Sequence, residues 1–323
     1  MPAVTLNAGT IHYETAGPPD GRPVVFIHGY SMGSSLWRAL SERLAARGFS
    51  CVAPTWPLGV HIEPMDVAAE LTMEGIAATV GELLETLALE DVVLVGNDTG
   101  GAIGQLVATS TPERLGALVL TSCDAFEHFP PPVLKPLIAA ANAGPAYDLA
   151  LQPLRTRFAR KRGFGALAHT DIDALVEEWV KPALTNRRVR NDLRRFTKSL
   201  NPETTVRAAA RLPQFTKPAL VAWSADDTLF PLADGRRLAD ALPVGRFEVI
   251  ENARTFSMID QPDRLAELIA DFAGADHVSP APGGPDHGVG SRGREAAIAG
   301  PRRQPTTTSR ADTTLSEASE EGR

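Results

Sequence analysis

The sequence predicts an α/β fold: a mostly parallel sheet flanked by helices, with an all-helical segment inserted near the middle of the chain. Three observations carry this. Short apolar, β-branched runs alternate with helical periodicity from residue 3 to residue 125. Between residues 129 and 215 the alternation stops and only helical patterns remain. It resumes over residues 216–273.

The elements follow in order. AVTLNA, TIHYETA and PVVFIHG read as three strands, SSLWRALSERLAARG as a helix and FSCVAPTW as a fourth strand. A helix over MEGIAATVGELLETLAL leads to the strand VVLVGN, a helix through GAIGQLVATS and the strand LGALVLTSCDA. Unbroken apolar runs such as VVLVG fit strands covered on both faces. After Pro130-Pro131-Pro132, helices are expected over PVLKPLIAAANAG, AYDLALQPLRTRFARKR, DIDALVEEWVKPAL and RNDLRRFTKSL. PALVAWSADD, LADGRRLADALP, RFEVIENA and PDRLAELIADFAG then restore strand–helix alternation.

The expected organisation is a core domain in two parts, 1–128 and 216–273, interrupted by a helical cap or lid, 129–215, over the edge where ligands bind beyond the carboxyl ends of the strands. The segment 274–323 has 13 Gly+Pro and four residues among Val, Ile, Leu, Met and aromatics. So little apolar surface does not offset the entropy of ordering, which predicts a disordered tail.

The chain is 43% hydrophobic, yet no apolar run approaches the length of a membrane span, and MPAVTLNAGT lacks the features of an export signal. Cys51 and Cys123 both lie in strand-like runs and read as reduced core thiols, so a cytoplasmic protein is expected. The net charge is −7, but residues 132–215 hold 15 Lys+Arg against 7 Asp+Glu. That basic segment fits either steering of anionic substrates or solvated helix faces. Without interleaved aromatic residues it does not fit nucleic acid. A small-molecule substrate is the expected partner, with no nucleic acid or membrane, no cofactor and no metal.

The stretch DVVLVGNDTGG, residues 91–101, runs from a strand into a turn that places small residues two before and two after Asp98. This spacing lets the backbone make a tight strand-to-helix turn that presents one side chain at the top of the sheet, with a helix N-terminus beneath it. An ordinary helix N-cap is the alternative. Two more stretches, VVFIHGY at 24–30 and WSADDTLFP at 223–231, occur in the order that resembles the α/β-hydrolase superfamily over about residues 1–273. An aspartate in the nucleophile position resembles its haloalkane dehalogenase and epoxide hydrolase group.

The resemblance implies an α/β-hydrolase fold and assigns expected roles. Asp98 would attack an sp³ carbon, forming an ester, and water would then cleave that ester at its carbonyl carbon. The His28-Gly29 loop would supply an oxyanion N–H from Tyr30 or a neighbour, paired with that of Thr99. Asp227, rather than Asp226, would be the acid that orients a histidine.

The sequence departs from that pattern where the histidine belongs. Aligned on Phe256 and Gln261-Pro262, IENARTFSMIDQP places Thr255 there, and a hydroxyl cannot take up a proton at neutral pH. His61 and His128 are candidate substitute bases or rim residues, with His169 a weaker one. His28 reads as structural. Asp124 holds a position that some dehalogenases use for the acid. The place of the halide-binding tryptophan is Thr99, leaving Trp56 and Trp179 to reach a pocket or to pack. Of the two lid tyrosines of epoxide hydrolases, the insertion holds only Tyr147. Three readings stand: a small-molecule hydrolase centred on Asp98, a lyase or isomerase using Asp98 as general base, and a ligand-binding protein without turnover.

Overall fold

The structure, a computed structural model, describes residues 1–274. Eight strands form one sheet in the order β1-β2-β4-β3-β5-β6-β7-β8. They are β1 Ala3–Leu6, β2 Gly9–Ala16, β3 Pro23–Ile27, β4 Ser50–Pro54, β5 Val92–Asp98, β6 Leu115–Cys123, β7 Ala219–Ser224 and β8 Gly245–Ile250. The β1–β2 and β2–β4 pairs are antiparallel and all the others parallel. Every strand expected from the sequence is present. All seven residues of β5 are buried, as a strand covered on both faces requires, whereas β2 and β8 near the sheet's ends are mostly half-buried or exposed.

The core helices are α1 Arg38–Ala45, α2 Met73–Thr86 and α3 Thr99–Ser110. Six more, inserted between β6 and β7, are α4 Lys135–Asn142, α5 Pro145–Leu151, α6 Arg157–Phe164, α7 Asp173–Thr185, α8 Arg187–Ser199 and α9 Pro202–Arg211. The chain closes with α10 Leu232–Ala241, α11 Ser257–Asp260 and α12 Pro262–Gly274. Helix α1 packs against α12, and α2 against α3. The disorder expected of the tail falls outside the described residues, apart from Gly274, which ends α12.

Two expectations for the insertion change. AYDLALQPLRTRFARKR is not one helix: Pro153 lacks the N–H a continuing helix needs, and the chain makes a 3₁₀ turn over Gln152–Arg155 before α6 starts at a new cap, Thr156. Helix α9 was not expected at all. Asn201 caps it by accepting from Thr204 N–H at 3.2 Å, and Pro202 opens its first turn. It packs on α3, bringing the insertion back onto the core.

Several of the insertion's arginines are internal fasteners. Arg160 is buried and bonds Asp173 and Glu177, and Arg190 bonds Asp148. Cys51 and Cys123 are buried and free. Among the described residues, no helix is long and apolar enough to cross a membrane.

Candidate active site

The β5–α3 junction holds Asp98 at φ 55°, ψ −133°, a region a non-glycine residue occupies only when its surroundings enforce it. The β5–β6 ladder slips in register between Asn97 and Asp98. The glycines explain how so sharp a turn fits. A Cβ on Gly100 would lie 2.1 Å from the Ile27 carbonyl oxygen, and one on Gly29 would lie 2.2 Å from Asp98 Oδ1. Only hydrogen at both positions lets the loop after β3 close over the carboxylate.

That loop and the first residue of α3 each supply one backbone donor to Asp98. Tyr30 N–H and Thr99 N–H donate to Asp98 Oδ1 at 3.1 and 2.7 Å. Both converge on one oxygen, so Oδ2 is the oxygen the backbone leaves unheld. Burial pushes the Asp98 carboxyl above the ordinary carboxylate range; the two N–H bonds oppose that rise and the nearby Asp227 adds to it. Thr99 Oγ1 also donates to Asp124 Oδ2 at 2.9 Å. Burial, and then Asp98, hold Asp124 well above its usual value.

Asp227 and Thr255 are joined. Asp227 Oδ1 accepts from Leu229 N–H at 2.8 Å, Phe230 N–H at 3.0 Å and Thr255 Oγ1 at 3.0 Å. Its other oxygen, Oδ2, is buried without a hydrogen-bond partner among the described residues. Burial raises the Asp227 carboxyl, tempered by the Phe230 and Leu229 N–H groups; the Ser122 and Thr255 hydroxyls lower it further, although Ser122 stands outside hydrogen-bonding geometry. Asp226 instead turns outward to His169 Nε2 at 2.9 Å, on a half-exposed pair. The two neighbouring aspartates thus sit in different environments, Asp227 held inward by three donors and Asp226 half exposed.

The histidines are committed elsewhere. His28 is fully buried, donates from Nδ1 to the Gly29 carbonyl at 3.0 Å and accepts Trp56 N–H on Nε2 at 2.8 Å. Burial lowers its pKa to about 4, so it is a neutral brace beneath the oxyanion loop. His61 is buried with Nε2 3.3 Å from Asp192 of α8. His128 is half exposed and bonds Asp234 through Nδ1 at 2.6 Å, on a cleft of about 530 Å³ whose floor includes Asp124. Among the described residues, none of the three bonds Asp98 or Asp227.

The aromatic candidates divide. Trp56 and Trp179 are fully buried and their indole N–H groups are spent on the Phe26 carbonyl at 3.0 Å and Ser35 Oγ at 2.8 Å. Tyr147 instead joins a hydroxyl cluster: its Oη lies 3.0 Å from Tyr30 Oη and 2.9 Å from Thr197 Oγ1, and Tyr30 Oη lies 2.6 Å from Thr197 Oγ1. Tyr30 thus has its backbone on Asp98 and its phenol against the insertion. Burial raises its phenol to about 12. The pairing and Thr197 were missed, since no local signal links a tyrosine after β3 to a threonine within α8. Asn97 was missed likewise; its Nδ2 bonds the carbonyls of Thr121, Ser122 and Thr255, tying the loop that carries Thr255 to the sheet.

The insertion is fastened beside Thr255. Phe256 N–H bonds the Leu167 carbonyl at 2.8 Å, Arg254 Nη1 reaches the Ala168 carbonyl at 3.3 Å, and Asp260 Oδ1 accepts His169 N–H at 2.9 Å.

Comparison with known proteins bears on the family of the chain. The chain is 28% identical over 273 residues to a 2-hydroxy-6-oxononadienedioate/2-hydroxy-6-oxononatrienedioate hydrolase of Dechloromonas aromatica, covering 81% of this chain and 90% of that protein. It is also 28% identical over 274 residues to haloalkane dehalogenase 2 of Mycobacterium tuberculosis, covering 83% and 93%. A crystal structure of an alpha/beta hydrolase fold protein from Burkholderia ambifaria superposes with a TM-score of 0.70 at 21% identity, covering 84% of this chain and 97% of that one. The family model described as alpha/beta hydrolase fold matches residues 22–262, and the chain belongs to that family.

Proposed function

We propose that this protein is a small-molecule hydrolase in which Asp98 is the nucleophile, the helical insertion serves as its cap and Thr255 stands where a histidine is usual. The observation that carries the reading is the clamp on Asp98 Oδ1 by Tyr30 and Thr99 N–H at the strained β5–α3 turn. Those donors fix the carboxylate with Oδ2 forward for attack on an sp³ carbon. They also stabilise the oxyanion that forms on Oδ1 when water attacks Cγ of the resulting ester.

The leaving group favoured by the surroundings is oxygen. The Trp56 and Trp179 indole N–H groups are fixed on partners within the protein, whereas the Tyr30 and Tyr147 hydroxyls, bonded to each other and to Thr197, can rotate their hydrogens toward a substrate oxygen; Thr197 donates to the Leu193 carbonyl and serves them as acceptor. An epoxide whose ring oxygen accepts a phenol proton while Asp98 attacks carbon suits that arrangement. The free, buried thiols suit a cytoplasmic setting.

The experiment is intact-mass measurement after incubation with epoxides and haloalkanes, separately, for the wild type and Asp98→Asn. Support is an adduct mapping to Asp98, or turnover, that disappears in the variant. Product formed equally by both proteins would rule out Asp98 as nucleophile. Bound ligand without adduct or product would favour the non-hydrolytic or binding readings, for which the missing histidine is the specific observation.

A further inference from the structure

We infer that Asp227 itself is the general base of the second half-reaction, taking a proton from water through Oδ2, a role that rests on the Asp98-nucleophile reading. A carboxylate that only orients a histidine needs that histidine. Here Thr255 takes its place and donates to Oδ1, which already accepts two backbone N–H groups. Oδ1 is saturated and the carboxyl is locked in orientation. Oδ2 is buried with no partner, and such an orphaned acceptor calls for a water or a substrate atom.

Placement supports this. Asn97, the residue before Asp98, bonds the Thr255 carbonyl at 2.9 Å while the Thr255 hydroxyl bonds Asp227 at 3.0 Å, so Thr255 links the two carboxylate-bearing turns, and the charge of Asp227 acts on Asp98. The other titratable groups around Asp227 are Asp124 and Cys123 at the end of β6, and the outward Asp226–His169 pair. None of these histidine or thiol atoms bonds either carboxylate among the described residues.

The step balances. Water oxygen bonds to Cγ of the alkylated Asp98 while one of its protons passes to Asp227 Oδ2, and negative charge forms on Asp98 Oδ1 beneath the Tyr30 and Thr99 N–H groups. The intermediate collapses by breaking the Cγ–Oδ2 bond. The departing alkoxide takes the proton from Asp227, and the second water proton leaves Asp98 as its carboxylate reforms. The product alcohol keeps the old Oδ2, and water's oxygen stays on Asp98.

The test separates the two half-reactions in single-turnover mass spectrometry with an epoxide in ¹⁸O-water. Adduct formation reports on Asp98 and the phenols that assist it; its clearance reports on Asp227. Asp227→Asn is expected to form the adduct near the wild-type rate and to clear it about a hundredfold more slowly or worse. Added formate should restore clearance to Asp227→Ala, as a small carboxylate replaces the missing base. Clearance by Asp227→Asn at the wild-type rate, or clearance lost instead in His61→Gln or His128→Gln, would overturn the inference while leaving the nucleophile reading intact. Absence of any adduct or label on Asp98 in the wild type removes both. Should both Asp227 variants fail to fold, wild-type clearance carries the test: it should fall as one carboxyl is protonated, with the midpoint moved upward in Thr255→Val. A midpoint unmoved by that substitution would overturn the inference.

Discussion

Thr255 Oγ1 donates to Asp227 Oδ1 at 3.0 Å, and on the proposed reading this joins the residue at the usual histidine position to the acid that would orient it. On that reading a donor still meets the carboxylate, but a hydroxyl supplies no proton acceptor. Thr255→His should supply one. Single-turnover clearance of an Asp98 ester is expected to rise by about tenfold or more, within the range of general base catalysis. Ester that forms on the folded variant and clears no faster would mean the alignment of residues 250–262 is wrong.

Tyr30→Phe keeps the N–H that holds Asp98 and removes only the phenol oxygen of the cluster. Alkylation by epoxides should slow by about a hundredfold, the usual cost of losing one donor to a developing oxyanion, while haloalkane alkylation is much less affected. Equal slowing with both substrates would show that the phenol acts through packing.

Gly29→Ala places a methyl 2.2 Å from Asp98 Oδ1, an oxygen already clamped by the Tyr30 and Thr99 N–H groups. Destabilisation of about 1–3 kcal/mol in urea titration is expected, as for other overpacked sites, together with loss of adduct formation. A variant that alkylates normally would show that the loop moves aside.

Asp124 is held well above its usual pKa by burial, so the native state binds its proton more tightly than the unfolded state does. The stability from this group is fully present below the unfolded value of about 4 and is lost as pH rises through the raised folded value, since the native state then holds the extra proton. Asp124→Asn, which can still accept from Thr99, should flatten that decline. The difference in Tm between wild type and variant, measured from pH 4 to 8, should move in the variant's favour as pH rises. A constant difference would exclude the shift. Opposite effects from Asp171, Asp173 and Asp263, whose carboxyls are lowered by N–H groups and arginines, are common to both proteins and cancel.

How much of this was legible in sequence depends on how local each signal is. The strands were readable because a buried parallel strand writes an unbroken apolar run, as VVLVG does. The turn at Asp98 was readable because its glycines are neighbours in sequence. Asp227 was distinguishable from Asp226 by its distance to Pro231. Helix α9 escaped notice although Asn201-Pro202 is a sound helix start, since its alanine-rich face offers little hydrophobic period. The hydroxyl cluster was beyond reach for another reason: Tyr30, Tyr147 and Thr197 meet only through the docking of the insertion, a long-range event that no short window encodes.

The fastening of the insertion bears on the order of events. Its loop 165–170 is bonded to Arg254, Phe256 and Asp260, the flanks of Thr255. Whatever lifts that margin to admit a molecule also slackens the strip that steadies Asp227. If the insertion is the cap we propose, admission along this side and completion of the water step exclude one another in time. On the proposed reading, a molecule that enters here must be sealed in before it can be released as product, and the opposite side offers no freer route, since Tyr147 of α5 is bonded to Tyr30 of the loop that holds Asp98.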